Sequence, residues 1–170
     1  MHSKILRIIA IVLVVLLQAW VFNYITLFRV ATPYIYLFGL MLLPIKESKV
    51  SCTLIGAAIG ACVDLLSGTA GVHMAATTLA GFLRPYLLQP LTEPTNNTAL
   101  APSGKELKKG IYLILLLWVT IHHAVLFFLD GFFGFHMGYL LVRLAGSIVL
   151  SYLILLLLQV FFLDLSPKDD

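Results

Sequence analysis

GAAIGACVDLLSGTAGVHMAATTLAGFLRP, running from Gly56 to Pro85, is the stretch that decides how this chain folds. Gly56, Gly60 and Asp64 recur every four residues and so share one helical face. Small residues at that interval let two helices approach closely where no hydrophobic effect drives them together. A turn follows, Ser67-Gly68-Thr69-Ala70-Gly71, and then a second helical pattern with His73, Thr77 and Gly81 on one face and Ala76, Ala80 and Arg84 on a neighbouring one. The reading is a helix packed closely through its glycines against another, with Asp64 pointing into protein and not toward lipid.

The rest of the chain supplies the oily surroundings. Of 170 residues, 61% are hydrophobic and 11% charged, against about 45 to 50% and about 25% in a soluble domain. Mean hydropathy is +1.01. Such a chain cannot hide its apolar surface in a soluble globule, and the expectation is one integral membrane domain over residues 1–170. The net charge of +3 is scattered over short loops with no basic face, which leaves nucleic-acid binding without a footprint.

Six apolar windows follow, about Ile5 to Tyr24, Pro33 to Ile45, Val50 to Leu66, Gly71 to Leu88, Gly110 to Leu129 and Phe135 to Leu163. They predict an all-α, polytopic bundle of about six transmembrane helices. The second window is the weakest, because only about 15 to 18 Å of helix fits between Pro33 and Pro44. Charge tests the count. With six spans and the N-terminus inside, Lys4, Arg7, Lys46, Lys49, Arg84, Lys105, Lys108, Lys109 and Lys168 lie on the cytoplasmic side and Arg29 outside, nine against one. Without the second span and with the N-terminus outside, the count is eight against two; Lys4 and Arg7, which abut the first span, decide for the former. Both termini are then cytoplasmic. Because no small-residue cleavage site follows the first apolar run, it reads as a retained anchor.

Residues 89–109 form the one long polar segment, predicted to be a cytoplasmic loop. In it Ser103 and Glu106 match a capping box opening the fifth helix. Ser-Gly-Lys at 103–105 lacks the upstream glycine of a phosphate loop, and the sequon Asn96-Asn97-Thr98 has no meaning on a cytoplasmic loop.

Polar residues within the spans are the candidate functional positions. On the last span Tyr139, Arg143, Ser147 and Ser151 form a stripe at intervals of four. Asp64 and Arg143 lie at similar depth, which makes them a candidate ion pair. Arg84, a turn from its helix end, is read evenly as snorkelling to headgroups or making a specific contact. Adjacent His122 and His123 point about 100° apart and cannot share a metal from one helix; with His73 and His136 they read as hydrogen-bonding or interfacial residues, and no metal or cofactor is expected. Cys52 and Cys62 lie about 15 Å apart on a helix, too far for a disulfide. Trp20 and Trp118 read as interface anchors.

With these residues in place, Gly56 to Pro85 resembles the signature region of the rod shape-determining protein MreD family. Members share a G-x-x-x-G helix, then D-L with a nearby S-G, then a glycine followed by an apolar residue and often His, then a helix ending near a basic residue. Gly56, Gly60, Asp64, Leu65, Ser67, Gly68, Gly71, His73 and Arg84 match. The family's turn is often longer and carries a proline, which is absent here, so the shape of this external turn (Ser67, Gly68, Gly71) is left open. The resemblance implies a fold similar to the substrate-binding subunits of energy-coupling-factor vitamin transporters. It also implies a non-enzymatic partner of MreC in the bacterial inner membrane, in the complex of MreB, RodA and a class B transpeptidase that guides lateral peptidoglycan synthesis.

On that reading Gly56 and Gly60 pack helices, while Asp64, His73, Arg84, Arg143, Ser147 and Ser151 make partner or intramembrane polar contacts. The alternative is the substrate-binding membrane subunit of a small-molecule, vitamin-type transporter. An intramembrane enzyme fits least: the chain has no H-E-x-x-H or G-x-S-x-G and no pair of aspartates on one membrane helix. Self-association and the helices that would meet MreC stay open.

Overall fold

A computed structural model of the chain describes residues 4–131 and 137–165. Helix α1 covers Lys4–Trp20 and ends in a single 3-10 turn, Phe22–Tyr24; α2 is a four-residue helix, Phe38–Met41; α3 is Lys49–Ser67; α4 is Val72–Leu88; α5 is another four-residue helix, Gly104–Leu107; α6 is Gly110–Gly131; and α7 is Met137–Leu158, prolonged by a π-helical turn, Gln159–Asp164. Among the described residues there is no strand. Four helical stretches, Lys4–Tyr24, Lys49–Ser67, Gly110–Gly131 and Met137–Asp164, are long and apolar enough to cross a membrane. Helix α4, of 17 residues, spans about 25 Å at 1.5 Å per residue.

The outward faces are those of a membrane-embedded bundle. Ile5, Ile8, Ile9, Val12 and Leu13 on α1 and Leu153 and Leu157 on α7 are exposed, while Gln18, Arg84, His122, His123, Ser147 and Ser151 are buried. Water would favour the opposite arrangement.

Helices α3 and α4 pack on each other as a hairpin, and α4 is the helix that meets the glycine face of α3. A Cβ on Gly56 would collide with the Thr77 carbonyl, one on Gly60 with the backbone of His73 and Met74, and one on Gly81 with the Cys52 carbonyl. Each glycine thus stands where the opposing backbone runs. Gly68, at φ 68°, closes α3 with its N–H on the Asp64 carbonyl, and Gly71, at φ 85°, precedes α4. The turn therefore reverses within five residues through two left-handed glycines and needs no proline.

Helix α6 packs antiparallel to α4, tied where the Trp118 indole donates to the Ala80 carbonyl at 2.8 Å. Trp118 is an internal strut and not the interface anchor expected of it, since the Ala80 carbonyl gives its N–H a buried partner. Helix α7 returns beside α6. Cys52 is buried and Cys62 exposed, both as free thiols.

The largest departure concerns Pro33 to Ile45. Only Phe38–Met41 is helical, so this window is not a spanning helix. Yet the segment does traverse the bundle. Helices α1 and α3 run in the same direction: Asn23, beyond the end of α1, donates to Ser67 Oγ at the end of α3 (2.6 Å), and Lys4 and Arg7 share a groove with Glu47 at the other end. Residues between them must therefore come back through the thickness of the molecule. They do so almost without exposure: every residue from Tyr34 to Ile45 is buried. At its far end Ile45 and Lys46 donate to the Leu100 and Thr98 carbonyls of the 89–109 segment (2.8 and 2.9 Å).

That segment is folded against the bundle. Ser103 accepts from Glu106 N at 3.3 Å, but it caps the short α5 and not the long helix starting at Gly110, and the Glu106 carboxylate turns to Asn97 N (2.9 Å). His136 and the predicted start of the last span at Phe135 lie outside the described residues, as does Lys168.

Candidate functional site

The polar residues of the bundle interior fall into three connected groups, and each begins with a backbone need. The first is at the turn end of the bundle. The first N–H groups of a helix have no partner within it, and Gly71, preceding α4, has no side chain to cap them. Asp64 supplies the cap from α3. Its Oδ1 accepts from His73 N (3.2 Å), His73 Nδ1 (2.9 Å) and Thr69 Oγ1 (2.5 Å), and its Oδ2 from Met74 N (2.8 Å). A carboxylate at the positive end of a helix, holding two backbone and two side-chain donors, is a strong local fixture. It joins the close-packed helices at the one end where glycine contact gives way to the turn.

The predicted pair of Asp64 with Arg143 is accordingly not formed. Arg143 lies 3.6 Å from Asp130 at the end of α6 and stacks over Phe127 and Tyr139, with ring centroids 5.2 and 5.9 Å away. Similar depth along two helices misled because the turn already placed four donors around Asp64, within ten residues of it in sequence.

The second group serves the buried crossing segment. Non-helical backbone at membrane depth persists only where protein satisfies it. Thr32 N donates to Ser147 Oγ (3.0 Å) and Tyr34 N to Ser151 Oγ (2.8 Å). Gln18, in the last turn of α1, accepts from Ile35 N (2.7 Å) and donates to the Pro33 carbonyl (3.1 Å) and to Asn23 Oδ1 (2.7 Å). At the other end Arg84 donates to the Leu43 (2.6 Å) and Pro44 (3.1 Å) carbonyls. Arg84, 2% exposed, does not snorkel; it makes the specific contact. The serine stripe of α7 and the lone arginine of α4 thus do for this segment what a helix does for itself.

The third group is a cluster of rings between them. Tyr36 OH meets His122 Nε2 at 2.9 Å, and His123 Nε2 meets Ser151 Oγ at 2.9 Å. His123 Nδ1 lies 2.8 Å from the Val119 carbonyl, which can only accept, so Nδ1 carries the proton and Ser151 donates to Nε2. A serine beside a histidine raises the question of a nucleophile. Here Ser151 Oγ already receives Tyr34 N–H, and Ser151 and His123 are both fully buried, so the pair serves structure. Among the described residues no group of three or more His, Cys, Asp or Glu could hold a metal.

Beside these groups, at the turn end, opens a polar cleft of about 420 Å³ whose lining includes Asn23, Thr32, Thr69, His73, Asp130 and Arg143. A second groove, of about 590 Å³ and mainly apolar, runs between α1 and α3. Gln18, Asn23, Tyr36, Thr69 and Asp130 are the positions sequence reading passed over. Gln18 carried the clearest signal, as the one amide in an apolar run of helix. No family model, curated protein or solved structure matches the chain.

Proposed function

We propose that the protein is a non-enzymatic membrane scaffold of the bacterial cell-elongation machinery, of the MreD type, which binds MreC and thereby stands beside MreB, RodA and a class B transpeptidase. The observation that carries this reading is the α3–α4 hairpin. The residues that bear the resemblance, Gly56, Gly60, Asp64, Gly68, Gly71 and His73, are those that build its close contact, its turn and its carboxylate cap. A rigid hairpin of this kind offers a partner a fixed surface without performing chemistry. The groove between α1 and α3 is the natural seat for a partner's membrane helix: it is lined by Ile8, Val12, Ile55 and Ile59 and flanked by Lys4, Arg7 and Glu47.

In the bilayer we place five helices and the crossing segment as six passes, with both termini and residues 89–109 on the cytoplasmic side and the Ser67–Gly71 turn outside. The excess of Lys and Arg on that side supports this orientation. The setting is the bacterial inner membrane.

The alternative, a substrate-binding subunit of a small-molecule transporter with a fold like those of energy-coupling-factor systems, draws on the cleft at the turn end. The two part in one experiment. Depletion in the rod-shaped host, with affinity capture of the tagged chain, should round the cells and recover MreC. Unchanged rods without MreC, together with lost uptake of a vitamin-sized solute, would replace the scaffold by the transporter subunit.

A further inference from the structure

The loop between α1 and the crossing segment holds a feature that packing does not explain. Leu27 and Ala31 exchange backbone hydrogen bonds (2.8 and 3.0 Å), and Val30 N returns to the Leu27 carbonyl at 3.0 Å. Phe28 and Arg29, at the centre of this tight turn, have φ of 51° and 61°. Two successive positive φ angles belong to a type I′ turn, where Gly, Asn and Asp dominate. A bulky side chain at such a position is strained. Phe28 buries little in exchange, since it is 85% exposed.

The strain is held in place from α7. Tyr139 OH donates to the Arg29 carbonyl (3.1 Å), Thr32 N donates to Ser147 Oγ (3.0 Å), and Gly146 leaves room for Ala31, whose Cβ a side chain there would crowd. So braced, the turn walls one end of an apolar groove of about 630 Å³ along α7, lined by Leu27, Phe28, Val142, Gly146, Val149 and Leu153. Strain kept at such a place points to function.

Lipid alone does not call for it. Anchoring at a headgroup layer needs aromatic rings but no particular backbone, and the exposed Trp20 and Tyr24 already supply them. A second copy of this chain is opposed by charge, because two-fold packing on this groove would bring two Arg29 side chains to one height. Arg29 is exposed and makes no ion pair among the described residues. An aromatic ring and a free arginine on a rigid mount are residue types enriched where proteins meet.

We propose that the α7 groove seats a membrane-spanning helix of a second protein, one with an Asp or Glu just beyond its outer end that meets Arg29 while Phe28 packs on its last turn. This rests on the scaffold reading and adds to it a docking face apart from the α1–α3 groove. Charge at that rim sets register and choice of partner more than affinity.

For the test, the tagged full-length chain is co-expressed with MreC, RodA and the class B transpeptidase. It carries a photo-crosslinker, either Val149→p-benzoylphenylalanine in the α7 groove or Val12→p-benzoylphenylalanine in the α1–α3 groove. Val149 should yield an adduct with one of the three. Phe28→Asn with Arg29→Gly relieves the turn, so it should raise the melting temperature by about 5 °C while lowering the Val149 adduct about tenfold and sparing the Val12 adduct. A turn with a purely structural role would gain the stability and keep the adduct. Arg29→Glu alone should also lower the Val149 adduct about tenfold, and changing the partner's acid to lysine should restore it; this pair decides if the double variant is not monodisperse. An adduct at Val12 without one at Val149 overturns this inference and leaves the scaffold reading standing, whereas adducts at neither position overturn both. A crosslinked dimer of this chain at Val149, an adduct indifferent to Phe28 and Arg29, or a partner helix without an acid at its outer end would each overturn it as well.

Discussion

The α3–α4 hairpin and the crossing segment Thr32 to Ile45 carry chain through the same oily layer by opposite means. In the hairpin each helix satisfies its own backbone, and glycines let the two backbones meet; polar side chains are needed only where the helices end, at Asp64. The crossing segment has one helical turn and borrows its hydrogen bonds from elsewhere, from Gln18 on α1, Arg84 on α4 and Ser147 and Ser151 on α7. The hairpin is therefore a local structure, specified within about thirty residues. The crossing segment is a consensus of three distant helices and cannot form before they do.

This contrast orders the expected effects of substitution. The largest belongs to Gly60→Leu. The added side chain meets backbone at His73 and Met74, which cannot move aside as a flexible side chain would. Overpacking of a core costs about 1 to 3 kcal/mol when neighbours can shift; here the expected outcome exceeds that range, with loss of monodisperse protein on size exclusion in detergent. Recovery of Gly60→Leu at wild-type yield and melting temperature would break the hairpin's side of the comparison.

Next comes Gln18→Leu. It removes the acceptor of Ile35 N and the donor to the Pro33 carbonyl, leaving both buried backbone groups without that partner. At about 1 to 3 kcal/mol for each buried group left unpaired, the variant should lose about 3 kcal/mol of stability. Amide exchange should rise from Thr32 to Ile45 while the hairpin amides keep their protection. Uniform loss of protection through both regions would show that the two are one cooperative unit.

Sequence carried the first of these regions and not the second, for a physical reason. A helix writes its contacts at intervals of three and four, so the spacing of Gly56, Gly60 and Asp64 and of His73, Thr77 and Gly81 is enough to place them on faces. All are buried or half-buried where expected, although Asp64 found its partners in the adjacent turn and not on α7. The stretch from Pro33 to Ile45 is apolar because protein surrounds it on every side, and an apolar run with that cause has no period to read. Its two prolines argued against a long helix but not for an extended path. Ser147 and Ser151 were legible as an inward stripe. What they hold was not, because a backbone N–H arriving from residue 32 or 34 leaves no mark in the residue that donates it.

Ser151→Ala sharpens the same point at a smaller scale. The hydroxyl accepts Tyr34 N and donates to His123, so its loss deprives two buried groups of a partner, though neighbouring Ser147 and Gln18 still hold the segment. The expected cost is about 1 to 2 kcal/mol, read as a lower melting temperature with increased exchange centred on Tyr34. Ser147→Ala, which frees one N–H, should cost less. A larger effect from Ser147 than from Ser151 would mean that the ring cluster contributes little to fixing the segment.

The smallest effect is a coupling energy. If Asp64 and Arg143 held the bundle together as a pair, the double change Asp64→Arg, Arg143→Asp would restore what either single change lost. Their observed partners separate them: Asp64 caps α4, and Arg143 faces Asp130. Asp64→Asn should therefore cost about 2 kcal/mol through weakened donors at His73 and Met74. Arg143→Leu should cost under about 1 kcal/mol, as expected of a half-exposed pair. In the exchanged protein a guanidinium would face the positive end of α4 and a carboxylate would face Asp130, so both ends worsen. A cycle built from Asp64→Asn and Arg143→Leu should be additive within about 0.5 kcal/mol. Coupling well beyond that value, or recovery in the exchanged protein, would join the turn and α7 into one electrostatic unit and erase the distinction between a hairpin closed on itself and a segment held by the others.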